Sequence, residues 1–135
     1  MTVTDAINAA ERLLPGIPAP EGEVDERWQA ILKVRAFIKT EPEHVWTFVD
    51  RWGRSDEKDL RTAIATCLLE HVLEHWFDRF FPRVELAVRS DIRFADTFSR
   101  CWQFGEAEEP GNAERFKTLN DEAALLWRSR LPRQR

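Results

Sequence analysis

The sequence predicts an all-α fold: a single domain of six to eight antiparallel helices. Three observations carry that reading. Apolar residues recur at three- and four-residue spacing along almost every segment. No stretch alternates apolar and polar residues over the length of a strand. Prolines and glycines stand where one such run gives way to the next, as helix stops and starts do. The chain has 135 residues, which fits one domain, and its six Trp and nine Phe supply a large aromatic interior.

Taken in order, Thr4 is the expected cap of a first short helix, with Ala6, Ile7, Ala10, Leu13 and Leu14 as its apolar stripe and Pro15-Gly16 as its stop. Residues 1–23 form this helix and a Pro/Gly arm. Through residue 26 the chain carries six acids against one Arg, so the arm is acidic. The helical domain covers 24–131, and 132–135 form a basic tail. Its first helix is expected over roughly 24–40, with Trp28, Ile31, Leu32, Arg35 and Ile38 on one face and Val34 and Phe37 beside it. Glu41-Pro42 breaks it. A shorter helix over about 43–52 buries Val45, Phe48, Val49 and Trp52, with Trp46 at the edge and Gly53 at the end.

The central helix begins at Ser55 or Asp56 and runs to Phe81, with Asp56, Glu57 and Asp59 in its first turn, where the helix dipole favours anions. On a helical wheel Leu60, Ile64, Cys67, Leu68, His71 and His75 share one side, and Ala65, Leu69, Val72, Leu73 and Trp76 the other. Ala63, Thr66, Glu70, Glu74 and Phe77 are left for solvent. Pro82 is expected to break or kink the chain before a short helix over 83–90. Ser90 or Asp91 starts the next, built on Phe94, Phe98, Cys101 and Trp102 and ended by Gly105. Asn112 caps the last, built on Phe116, Leu119, Ala123, Leu126 and Trp127, and Pro132 ends it.

The run from Phe48 to Leu69 resembles the turn and second helix of a HEAT-type repeat. In that family an Asp near the turn and an Arg in a D-x-x-[VL]-R-x-x-A run tie adjacent repeats. Asp50, Asp56 or Asp59 would supply the acid here, Arg61 the arginine, and Ala63 or Ala65 the small residue. The resemblance covers residues 41–77 well and 78–104 loosely. It implies a short armadillo-type solenoid and a binding role.

Composition narrows the function. A net charge of −4 argues against a dedicated nucleic-acid binder. Two cysteines suit a reducing compartment, no run reaches a membrane span of about 18 residues, and the N-terminus lacks a basic leader, so a cytoplasmic protein is expected. There is no Gly-rich phosphate loop and no nucleophile in a reactive context, and no cofactor is expected.

Cys67, His71 and His75 share a stripe at four-residue spacing, a geometry zinc can use in a metal-dependent enzyme or a metal-binding protein; the alternative is two histidines in a helix interface, hydrogen-bonded to a carboxylate or carbonyl. Glu70, Glu74 and Asp78 read as a solvated face. Arginines 79, 83, 89, 93 and 100, interleaved with aromatics, keep a nucleic-acid reading open. The leading expectation is a binding module for another protein, with a partner rim marked by Trp46, Trp52, Arg54, Arg61, Arg79 and Arg83. Self-association through exposed aromatics stays open.

Overall fold

A computed structural model describes residues 1–130, and every regular element among them is helical. The elements are α1 (Val3–Leu13), α2 (Glu26–Arg35), α3 (Pro42–Trp52), α4 (Lys58–Ile64), α5 (Glu70–Ser90), α6 (Ile92–Ser99) and α7 (Asn112–Ser129). A π-helical turn, Ala65–Leu69, joins α4 to α5 without a break, and a 3₁₀ turn, Gly105–Glu108, precedes α7. The all-α expectation therefore holds. The predicted end of the last helix at Pro132 and the 132–135 tail lie outside the described residues. No helix among the described residues is long and apolar enough to cross a membrane.

One core runs through the chain, from Ala6, Ala10 and Leu14 of the first helix to Phe116, Leu119 and Ala123 of the last. α1 packs on α2 and α3, α2 on α4 and the π turn, α4 on α6, and α7 on α5 and α6. The aromatic centre is Phe77 stacked on Phe81 at 4.5 Å, Phe98 against Phe116 at 4.9 Å, and Trp46 stacked on Phe80 at 5.8 Å. Such rings bury large apolar areas and favour offset or edge geometries, so they fix registers between helices that short loops alone would leave loose.

Several local expectations shift. The cap of α1 is Thr2, not Thr4: its hydroxyl accepts the Asp5 amide while Asp5 accepts the Thr2 amide, a reciprocal box. α2 is shorter than predicted and starts at an Asp25 cap. Its buried face is Arg27, Ala30, Ile31 and Val34, while Leu32 and Arg35 are exposed. The guanidinium of Arg27 causes that rotation. It donates to Asp25 at 3.1 Å, to Glu57 at 3.0 Å and to Asp59, so a charge that hydropathy would leave outside is drawn inward by three carboxylates.

The central helix departs most. The π turn inserts an extra residue into the helical repeat and advances everything after it by about 100°. After it, Glu70 and Phe77, expected in solvent, are buried, whereas His71 and His75 are half-buried; Ala63, before the turn and also expected in solvent, is buried as well. Pro82 does not break the chain; α5 continues through it to Ser90. The irregularity falls at Trp76, with φ −138° and ψ 43°. There the freed Phe77 amide donates to Glu106 at 3.0 Å, and the Trp76 indole donates to the Ile38 carbonyl at 2.9 Å. The kink is thus set by tertiary partners.

α6 is capped by Asp91, one of the two expected residues, but ends at Ser99, well before Gly105. α7 has Gly111 as its cap, with Asn112 inside the first turn and donating to the Glu106 carbonyl.

Candidate functional site

Of the six residues expected to mark a partner rim, two are interior. Trp46 is 8 % exposed and packs on Phe80 and Phe94. Arg61 is 4 % exposed: it donates to Asp96 at 2.8 Å and to the Ser55 and Asp56 carbonyls at 2.9 and 3.0 Å, and its guanidinium lies over Trp127. Its acid partner is Asp96, not Asp50, Asp56 or Asp59, which instead hold Arg54, Arg93 and Arg27. Trp52 is only partly buried, but its indole nitrogen is enclosed with no hydrogen-bond partner among the described residues. Arg54 reaches the surface while engaging Asp50 at 2.9 Å.

Arg79 and Arg83 both grip Glu43, at 2.8 and 2.6 Å, and lie over Phe80. The two guanidiniums hold the Glu43 carboxyl down from 4.5 to about 2. A depressed carboxylate contributes stability above its unfolded value and loses it as pH falls toward the folded one. Wild type should therefore exceed Glu43→Gln in stability at neutral pH, and the gap should close between pH 4.5 and about 2. Because the Glu43 side chain is 44 % exposed, solvent screening holds the gap to about 1 kcal/mol. Chemical denaturation of both proteins across that pH range checks it; a gap constant with pH would contradict the assignment.

The arginines that kept a nucleic-acid reading open are spent in the same way. Arg89 pairs with Glu122, Arg93 with Asp56 and Arg100 with Asp96. Of the aromatics expected to interleave with them, Phe80, Phe81, Phe94 and Phe98 are buried, whereas Trp102 is 69 % exposed.

The histidine stripe has become the wall of a cleft of about 400 Å³ between the end of α2 and the first turns of α5, lined by Arg35, Ile38, Lys39, His71, Glu74 and His75. His71 Nδ1 lies 2.7 Å from Glu74 Oε1, and its ring stacks on Phe104 at 5.5 Å. That hydrogen bond holds the Glu74 carboxyl below its usual range, so the carboxylate accepts and Nδ1 carries the proton. His75 Nε2 is 3.7 Å from the same oxygen. The hydrogen-bonded carboxylate expected beside the histidines is present at His71 and not at His75; of the expected solvated face, Glu70 is buried, Glu74 half-buried and Asp78 exposed. Glu70 is 7 % exposed and accepts the Trp102 amide at 2.8 Å, and burial raises its carboxyl above the usual range.

Cys67 is buried on the π turn with its thiol pushed up by desolvation, and Cys101 is buried with a thiol pushed up further. Neither has the thiolate character that nucleophilic chemistry needs. Among the described residues, no three His, Cys, Asp or Glu side chains are arranged to hold a metal ion, so Cys67, His71 and His75 do not assemble into a ligand set.

The surface that sequence reasoning left unassigned is the acidic arm. Leu13, Ile17 and Val24 line one depression of about 370 Å³, together with Ala19, Asp25 and Glu26. Ile17 is 91 % exposed and Val24 73 %. Asp25 and Glu26 line the depression beside the buried Arg27, whose guanidinium holds Asp25, Glu57 and Asp59; Glu21 and Glu23 belong to the same arm in sequence, with Arg12 and Lys58 as flanking cations. The signal was present as an acidic segment containing isolated aliphatics. What the sequence did not reveal was that α1 and α2 fold back to bring Leu13 and Val24 to the same depression.

Comparison with family models, with characterised proteins and with solved structures finds nothing that matches this chain.

Proposed function

We propose that this protein is a small helical binding module that engages a basic, amphipathic segment of another protein on its acidic N-terminal arm. The observation that carries the reading is the exposure of Ile17 and Val24 together on one depression with an acidic surround. Isolated exposed aliphatics are ordinary; neighbouring ones inside a charged border are what recognition surfaces use. The border chooses the occupant. Its carboxylates favour lysines and arginines on the approaching segment, while the aliphatics need an apolar anchor.

The HEAT-type reading belongs to the same proposal. It is supported by two buried guanidiniums that each join one helical pair to the next. Arg27 links α2 to the start of α4, and Arg61 links α4 to α6. No catalytic step is part of this reading.

The test is titration with a lysine/leucine amphipathic peptide and its glutamate/leucine counterpart. Wild type binds the basic peptide and not the acidic one. The Ile17→Asp/Val24→Asp variant loses at least about 100-fold in affinity, since each aliphatic anchor contributes about 1.5–3 kcal/mol when buried. That variant also adds two negative charges, so binding by charge alone would tighten. Equal or tighter binding of the variant therefore contradicts the proposal, as does self-association of the free protein that blocks the peptide.

A further inference from the structure

We infer that the cleft between α2 and α5 is a binding site for a small phosphate monoester, held by Arg35, Lys39 and His75 beside the His71–Glu74 pair. The site is separate from the arm, and its test stands whether or not the arm binds a partner.

The argument begins with charge. Most arginines along α3 to α6 are matched to carboxylates, as Arg54, Arg79, Arg83, Arg89, Arg93 and Arg100 are. Arg35 and Lys39, which line the cleft four residues apart, make no ion pair among the described residues. Arg35 nevertheless faces the cleft: behind the His71 hydrogen bond and the neighbouring histidines, its charge adds to what holds the Glu74 carboxyl below its usual range.

The opposing charges are few. Glu74 is the acid that lines the cleft, and its Oε1 already accepts from His71 at 2.7 Å. The carbonyl end of α2 adds about half a negative charge, screened within its last turn. Glu70 is turned inward, onto the Trp102 amide. Cys67, on the π turn, is a neutral buried thiol. Glu106, from the 3₁₀ turn packed against α5, is committed to the Phe77 amide. The cleft therefore presents a guanidinium, an ammonium and the half-exposed His75 ring to whatever enters it.

Geometry and size narrow the ligand. A guanidinium matches the paired oxygens of phosphate bidentately, and an ammonium and an imidazole supply further donors from other directions. A tetrahedral dianion uses all three, whereas a planar monocarboxylate uses fewer. A volume of about 400 Å³ lies at the small end of ligand sites, suited to a phosphate with a short organic substituent. The walls are held from behind: the Trp76 indole is tied to the Ile38 carbonyl, and His71 is stacked on Phe104. Both walls are thus placed before a ligand arrives.

The experiment is calorimetric titration of the full chain with inorganic phosphate, phosphoserine, serine and acetate at fixed ionic strength. Phosphoserine should bind at least as tightly as phosphate, and serine and acetate much more weakly. Arg35→Gln should weaken phosphoserine by tenfold or more, and His75→Gln by several-fold, since each removes a charge-assisted or polar donor. Both positions are at least partly solvent-accessible, and unchanged melting confirms that the variants fold. Arg12→Gln, on α1, is the control and should leave binding unchanged. Equal binding of acetate, unchanged affinity in Arg35→Gln, or an equal loss in Arg12→Gln would each overturn the site.

Discussion

The Arg61→Met variant is expected to lose about 3–5 kcal/mol of stability, toward the lower figure because Arg100 also reaches Asp96. The physical reason is what remains behind. Asp96 is 2 % exposed, and without Arg61 it keeps one of its two guanidinium partners. The Ser55 and Asp56 carbonyls in the α3–α4 turn lose their shared donor, and Trp127 loses one of the two guanidiniums over its ring, keeping Arg130. For a domain of this size that loss lowers Tm by about 10–15 °C. The Arg61→Met/Asp96→Leu double variant should cost less than the sum of the two single changes, because it removes the stranded charge. Thermal and chemical denaturation of the four proteins measures this cycle. Strict additivity, or a loss under 1 kcal/mol for Arg61→Met, would show that the buried bridge does not hold α4 to α6.

The second large effect is at Gly105. Its φ is +52°, and a Cβ there would lie 2.7 Å from Glu74 Cγ and 2.8 Å from the Glu74 carbonyl oxygen. An alanine pays about 1–2 kcal/mol for the left-handed backbone and must also move the 3₁₀ turn away from α5. Moving it pulls Glu106 from the Phe77 amide and Phe104 from His71. A total loss of about 3 kcal/mol is expected, with faster amide exchange at Phe77. Gly22 provides the comparison: its φ is +87°, but nothing lies within 4 Å of its added Cβ. Gly22→Ala should therefore cost only about 1 kcal/mol. Equal effects at the two glycines would refute the close packing at Glu74.

The contrast between readable and hidden features follows from range. α1, α3, α6 and α7 were legible as elements because their apolar stripes and nearby breakers lie within a few residues of each other, although the caps of α1 and α7 and the end of α6 fell elsewhere. Pro15-Gly16 ends α1, Pro42 opens α3 and Asp91 caps α6. The kink at Trp76 depends on partners far away in the chain, namely Glu106 and the Ile38 carbonyl. Once the π turn had rotated α5, a wheel drawn from Leu60 put Glu70 and Phe77 on the wrong side and the histidines too deep.

Charged residues were hidden for a related reason. Arg27 and Arg61 are interior because acids from other segments meet them, and no single-segment pattern carries that information. The same blindness placed Arg61 and Trp46 on an expected outer rim. The acidity of the arm, by contrast, was visible in composition alone; its geometry needed the fold.

Backbone hydrogen exchange, with and without the lysine/leucine peptide, tests the central claim most directly. Slowed exchange concentrated between Leu13 and Arg27, with α3 and the outer face of α5 unchanged, is the predicted result. Protection confined to the surface around Arg54 and Arg83, or bound peptide with no protection in the arm, would contradict it.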